Sequence, residues 1–175
     1  ACSQNKIIIP EQNTPVFVNS KVEHKAYFAS GCFWCVEAIY ESIIGVNNVV
    51  SGYSGGNIPN PTYEIVNTKI TGHAETIEVS YDPKKINFSN LVDIYFASQD
   101  IEQINGQGPD NGPQYRSIIF YQTEAQRDLI HNKIRDLEKN KNLKVAAEVS
   151  PFKKFWLAEN YHQNFKKKNP NHPYI

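Results

Sequence analysis

From residue 25 onward the spacing of apolar positions changes repeatedly, and each change marks an element. Lys25 to Ala29 is a short apolar run ending at Ser30-Gly31, which predicts a strand. Phe33, Val36, Tyr40 and Ile43 then recur at helical spacing until Gly45, so a helix begins right after Gly31. Val46 to Gly52 predicts a second strand, and Tyr53 to Pro61 a loop rich in Gly, Pro and Asn. Ile77, Val79 and Tyr81 alternate with Glu78 and Ser80, the pattern of a half-buried strand, which Asp82-Pro83 turns. Phe88, Leu91, Val92, Tyr95 and Phe96 fill an amphipathic helical template. Gln99 to Gln114 carries Gly106, Gly108, Pro109, Gly112 and Pro113, a loop too long for a simple connector and therefore a carrier of function. Tyr115 to Tyr121 predicts a strand. Thr123 with Gln126 forms a capping box for a helix to about Asn140, with Leu129, Ile130, Ile134 and Leu137 inward. Val145 to Val149 closes the sheet, and from Phe155 the chain is aromatic and His-rich rather than periodic.

The order β, α, β, β, α, β, α, β suits helices on one side of a mixed sheet. The fold class is α+β, a ferredoxin-like two-layer core with long functional loops. One domain spans residues 25–175. Residues 1–24 are polar and Pro-punctuated, and they open on Ala1-Cys2-Ser3 without an initiator methionine, as in a processed chain. A small residue before a cysteine resembles a lipoprotein cleavage site, which would make Cys2 a lipid carrier and residues 3–24 a flexible tether at the cell envelope; the alternative is an incidental thiol. Composition narrows the partners. Among 175 residues, 18 Lys and Arg balance 18 Asp and Glu, so the basic excess of a nucleic-acid or acidic-membrane binder is missing. Lys166-Lys167-Lys168 reads as a solvated helix end. No run approaches the ~18 apolar residues of a membrane span.

Chemistry concentrates in Gly31-Cys32-Phe33-Trp34-Cys35-Val36-Glu37. A cysteine in the first turn of a helix meets unpaired N–H groups and the positive end of the dipole, which favour thiolate, so Cys32 is placed to be a nucleophile. Cys35, one turn on, is near enough to close a disulfide with it. Other readings stand beside this one. The pair could be half of a zinc site completed by His24, His73, His131, His162 or His172, or two small buried hydrophobes, or the redox pair of a thioredoxin-like oxidoreductase. Gly72-His73-Ala74-Glu75 enters the alternating strand, and the parity of Ile77 and Val79 aims Glu75 inward, where burial would raise its pKa. The alternative is an edge glutamate in water. The segment Gly108 to Ser117 adds an acid (Asp110), a phenol (Tyr115) and a guanidinium (Arg116).

Taken together, Gly31 to Cys35, Asn60-Pro61-Thr62-Tyr63, Thr71 to Glu75, Gln107 to Asp110 with Gln114 to Ser117, and Ala158 to Gln163 resemble peptide methionine sulfoxide reductase of the A type, in order, from about Ala26 to Pro170. The resemblance implies Cys32 as nucleophile, Glu75 as proton donor to the sulfoxide oxygen, Phe33 and Trp34 as the wall for the substrate methyl, and Tyr63, Tyr115 and Asp110 as the polar side of the pocket. Many relatives resolve the oxidised cysteine with thiols in a C-terminal tail; here residues 169–175 hold none, which leaves Cys35. Gly106, Pro113 and Asn160 stand where a basic residue, Thr and Asp are common. The implied substrates are free and protein-bound methionine S-sulfoxide, and the implied partner is thioredoxin or a similar dithiol acting on a monomer. No metal, flavin or nucleotide cofactor is needed.

Overall fold

The computed structural model describes residues 24–173, and the period changes of the sequence become element boundaries in it. In chain order these are β1 (His24–Ala29), α1 (Phe33–Glu41), β2 (Val46–Ser54), a one-turn α2 (Tyr63–Val66), β3 (Ala74–Tyr81) and α3 (Phe88–Ala97). A small hairpin of β4 (Gly106–Gln107) and β5 (Asp110–Asn111) follows, then β6 (Ile118–Tyr121), α4 (Glu124–Asn140), β7 (Glu148–Pro151), β8 (Phe155–Leu157) and α5 (Phe165–Lys168). The tether and lipid expectations for Cys2 fall outside the described residues. Among those described, no helix is long and apolar enough to cross a membrane.

The main sheet runs β7-β6-β1-β3-β2-β8. Its centre is the ferredoxin-like arrangement: β3 lies between β1 and β2 and is antiparallel to both, with β6 antiparallel on the far side of β1. One face carries α1 and α3, whose Phe33, Val36, Tyr40, Leu91, Val92 and Tyr95 pack on Phe28, Ile77 and Val79. Burying side chains of this size contributes roughly 1.5–3 kcal/mol each, so this layer fixes the start of α1 against β3.

The half-buried reading of β3 is corrected, since all eight of its residues are buried. The second face is covered without a helix. Phe152 stacks on Tyr27 at 3.8 Å between ring centroids, and Phe155 joins Tyr27, Val50, Ala74 and Phe120 in a second core cluster. The covering segment is the region that looked aperiodic. It holds β8, a three-residue edge strand too short to show a period, which lies so close to β2 that a Cβ on Gly52 would come within 2.3 Å of the Phe155 ring.

Three other boundaries differ from expectation. The strand expected from Tyr115 begins only at Ile118, because Gly112 and Pro113 start a 3₁₀ turn over Pro113–Tyr115. The strand expected over Val145–Val149 is Glu148–Pro151 and runs parallel to β6. The Ala146 N–H is spent on Ile101 O, 2.9 Å away, and so holds the long loop instead of the sheet. At the start of α4, Gln126 N–H donates to Thr123 Oγ1 as expected, but the Gln126 side chain accepts from Gln122 N–H rather than closing the box on Thr123.

Candidate active site

Ser30 and Gly31 carry the chain from β1 into α1. Gly31 sits at φ +70°, and a Cβ there would come 2.6 Å from the Gln107 Cβ, so both conformation and space require glycine. Its N–H donates to Tyr115 O at 3.1 Å. The Gly and Pro loop is thereby docked on the cysteine turn, and Gln107 stiffens it with hydrogen bonds to the Asp100 N–H and C=O. Cys32 is the N-cap residue, 8% exposed, with Cys35 half-buried one turn on; both are free thiols.

The two sulfurs share a hydrogen bond and titrate together. Cys35 is drawn down to about 7 by the bond from Cys32, with burial opposing. Cys32 is held well above the usual thiol range by that same bond, by burial and by the Glu75 charge, against a smaller pull from the Trp34 N–H. The pull of the helix N-terminus on Cys32 is thus joined by a second influence, a proton shared with its neighbour.

Glu75 does face inward, 2% exposed. The Phe33 N–H, first in the helix, donates to its Oε1 at 3.1 Å, which sets the carboxyl beside the Cys32 turn; its Oε2 is buried with no partner. Desolvation raises its pKa to about 8, opposed by the Phe33 N–H and helped by the charges of Asp110 and Cys35. Glu75 therefore keeps a proton at neutral pH. Tyr63 and Tyr115 are hydrogen-bonded through their side chains, and both feel the charges of Glu75 and Cys32. Asp110, pushed upward by burial, comes in on the β4–β5 hairpin.

An aromatic cluster completes the site. Phe33 lies 6.4 Å from Tyr63 and from Trp34 between centroids, and Trp34 lies 6.5 Å from Tyr63. His162, whose role the sequence left open, sits among them fully buried, 4.4 Å from the Tyr63 ring and 5.0 Å from Phe33. Its Nδ1 accepts from Trp34 Nε1–H at 2.9 Å, and burial lowers its pKa to about 4, so the ring is neutral with its proton on Nε2. Glu159 accepts from the Tyr53 hydroxyl and the Tyr63 N–H, and so fixes α2. The Ala158 to Gln163 motif carried the signal for these residues, but nothing in its spacing says which ring they meet.

Not every expected residue shares one pocket. Cys32, Cys35 and Asp110 border a cavity of about 430 Å³ whose rim includes Gln107 and Pro173; Glu75, Tyr63 and Tyr115 do not line it. Cys32 thus lies between an open cavity and a buried carboxyl and phenol cluster. Trp34 lines a separate cavity of about 410 Å³ with Glu37, Asn164 and Lys167. Arg116 is turned away and ties Pro113 O and Gly72 O to Glu148. His73, one of five histidines that could complete a zinc site, is spent on Gly56 N–H and Ile58 O. Among the described residues no three His, Cys, Asp or Glu side chains are grouped to hold a metal.

The family model described as peptide methionine sulfoxide reductase matches residues 24–175. A curated relative named peptide methionine sulfoxide reductase MsrA, from Nautilia profundicola, is 49% identical over 150 residues, covering 86% of each chain. The crystal structure of Mxr1 from Saccharomyces cerevisiae in reduced form is 32% identical, covers 91% of this chain and 92% of that one, and superposes with a TM-score of 0.82. A structure of Mxr1 in complex with Trx2 aligns at 21% identity over 86% of this chain and 89% of that one, with a TM-score of 0.57, and shows the shared fold. A thiol pair at a helix start beside a buried protonated carboxyl, on a fold and sequence shared with these proteins, places the chain in the peptide methionine sulfoxide reductase family.

Proposed function

We propose that this chain reduces the S epimer of methionine sulfoxide, free or in oxidised proteins, with Cys32 as nucleophile, Glu75 as acid and Cys35 as resolving thiol. The activity itself, reduction of methionine sulfoxide to methionine, is that of the family. The observation that carries the assignment is the Glu75 carboxyl. It is protonated up to about 8 and pinned by the Phe33 N–H next to Cys32, with one oxygen unpartnered. A sulfoxide sulfur becomes electrophilic when its oxygen is protonated or hydrogen-bonded, so acid and thiolate must address the two ends of one S–O bond. Near pH 7 the cysteine pair loses its first proton, and the reactive form is the one in which Cys35 holds the remaining proton and Cys32 is the thiolate. Attack transfers oxygen to the Cys32 sulfur, which is oxidised by two electrons while the sulfoxide is reduced to the thioether. Cys35 then displaces hydroxide from the sulfenic acid, water leaves, and a disulfide forms. Thioredoxin or a similar dithiol restores both thiols by exchange and leaves as its own disulfide. The half-buried Cys35, on the open cavity, is the sulfur such a reductant can reach.

Phe33 and Trp34 accept the S-methyl, and Tyr63, Tyr115 and Asp110 hold the polar part of the substrate. In this reading the acting species is a monomer. Residues 25–175 act as the catalytic domain.

The test is a Cys35→Ser variant with the S-sulfoxide. Single turnover should still yield one methionine per enzyme, thioredoxin-driven cycling should be largely lost, and small thiols should partly restore it. Unimpaired thioredoxin-driven cycling would point to another resolving thiol or to direct reduction of the sulfenic acid. A second expectation concerns Trp34→Ala: KM should rise roughly tenfold or more and discrimination against bulkier S-alkyl groups should weaken, since a lost methyl-sized contact is worth about that much. A folded variant with native KM and selectivity would make the indole structural only.

A further inference from the structure

Helix α1 buries Phe33, Val36, Glu37 and Tyr40, and one member of this inward stripe is a carboxylic acid. Glu37 is 2% exposed. Its Oε2 accepts from the Ser51 hydroxyl on β2, and its Oε1 accepts from the Asn164 N–H. Burial pushes this carboxyl up to about 7 against both hydrogen bonds. An apolar residue would complete the stripe without that cost, so the acid must do something that leucine cannot.

What it does is grip the chain after β8. Ser51 is the common node: its N–H donates to Gln163 Oε1 at 2.9 Å, and its C=O accepts from Gln163 Nε2 at 2.8 Å. Glu37 then holds the next residue, Asn164, which sits in the left-handed region at φ +55°. The residues flanking this grip both touch Trp34. His162 accepts the indole N–H at 2.9 Å, and Phe165 stacks on the indole at 3.7 Å with the planes 7° apart. Trp34 lies one turn before Glu37 on the same helix, so a single strap, residues 162–165, is fastened to α1 by Glu37 and clamps the indole by edge and by face.

We propose that Glu37 is a positioning residue for the substrate slot: by fastening Asn164 to α1 it holds His162 and Phe165 on Trp34, and so sets the spacing between Trp34, Phe33 and Tyr63 that receives the S-methyl. This rests on the assignment of Trp34 to the substrate made above. Glu37 acts through the indole and has no contact with the reacting atoms.

The experiment uses the full chain, which has two tryptophans and therefore two indole N–H resonances, assigned with Trp34→Phe. In Glu37→Ala the Trp34 indole proton should exchange with solvent at least ~10-fold faster, because its bond to His162 opens with the strap. KM for methionine S-sulfoxide should rise about fivefold or more, while the saturated single-turnover rate stays within ~2-fold and larger S-alkyl sulfoxides gain ground. Glu37→Gln keeps a carbonyl oxygen for the Asn164 N–H and should remain near native on every readout. Ser51→Ala removes one donor to Glu37 at the loss of one atom, should move in the same direction by less, and decides the matter if Glu37→Ala does not fold. Native indole exchange in Glu37→Ala, or in Ser51→Ala in its place, overturns the proposal, as does a Gln variant damaged as much as Ala. Trp34→Ala run in parallel separates the two ideas. If it leaves KM and selectivity native, the assignment of Trp34 fails; if it raises KM while Glu37→Ala does not, the positioning role alone fails.

Discussion

Cys32→Ser is expected to remove methionine formation even with enzyme in excess over sulfoxide, by at least about 10⁴-fold in the single-turnover rate. The loss should be in the first chemical step rather than in recycling, because a serine hydroxyl at this position has no neighbouring base to take its proton. The partner of Cys32 is a thiol that itself titrates near 7, far too weak a base for an alcohol. The variant should nonetheless fold at least as well as the native chain. Residue 32 is the N-cap of α1 and makes no side-chain cap bond as cysteine, whereas serine is among the preferred residues there and is worth up to about 1 kcal/mol as a cap. Unchanged or raised thermal stability together with absent chemistry separates a lost nucleophile from a damaged fold. A second variant tests the sulfur coupling. Serine still offers Cys35 a hydroxyl donor, whereas Cys32→Ala removes the donor that draws Cys35 down, so in the alanine variant the pH at which Cys35 alkylates should move upward from about 7. A methionine yield near native in single turnover would remove Cys32 from the mechanism.

Legibility in the sequence followed the strength of local pattern. The parity of Ile77 and Val79 is enough to aim Glu75 inward, because a strand alternates strictly and β3 keeps one register against β2 from Ala74 to Ser80, the shift at Val46/Asn48 lying at the far end from Glu75. The same alternation misjudged the opposite face, since Glu78 looked solvent-bound yet is buried with Tyr27 and Lys25 as partners. What covers it, Phe152 and Phe155, comes from seventy residues away and from a stretch with no period to read. The cysteine turn was legible for its place and not for its titration. A helix N-terminus can be inferred from Gly31 and the helical spacing after it, but a proton shared between Cys32 and Cys35 is a property of two rotamers meeting in space. Trp34 shows the same limit. Its identity and position are plain in the sequence, and its partners His162 and Phe165 are not, because they arrive with the strap after β8. Arg116 follows Tyr115 directly in the sequence, yet beyond the 3₁₀ turn at Pro113 its guanidinium goes to Gly72 and Glu148.

For Glu75→Gln the chemical step should slow by roughly 10² to 10⁴ with little change in substrate affinity, since the amide keeps the shape and a donor but cannot transfer a proton. The carbonyl oxygen of Gln can still take the Phe33 N–H, and its NH₂ occupies the place of the unpartnered Oε2, so the geometry around Cys32 should hold. The pH profile supplies the control. In the native chain the rate should climb as the cysteine pair loses its first proton near 7 and fall as Glu75 ionises through about 8, a narrow bell. The Gln variant should keep the rising limb and lose the alkaline fall. Stability moves the other way. The unfolded chain ionises Glu75 near its ordinary 4.5 and the folded chain only near 8, so between those limits the native state holds a proton that the unfolded state has released. Native stability therefore declines as pH rises across that window, by roughly 3 kcal/mol at pH 7 relative to a group that never ionises. Glu75→Gln should escape that penalty, with a gain in denaturation midpoint that is small at pH 4 and grows toward pH 8. A slower and more stable variant is the signature of a carboxyl held neutral in an apolar site for its proton, at the expense of the fold. A Gln variant with near-native chemical rate and an intact alkaline limb would hand the proton transfer to Tyr63 or Tyr115 and leave Glu75 as a wall of the site.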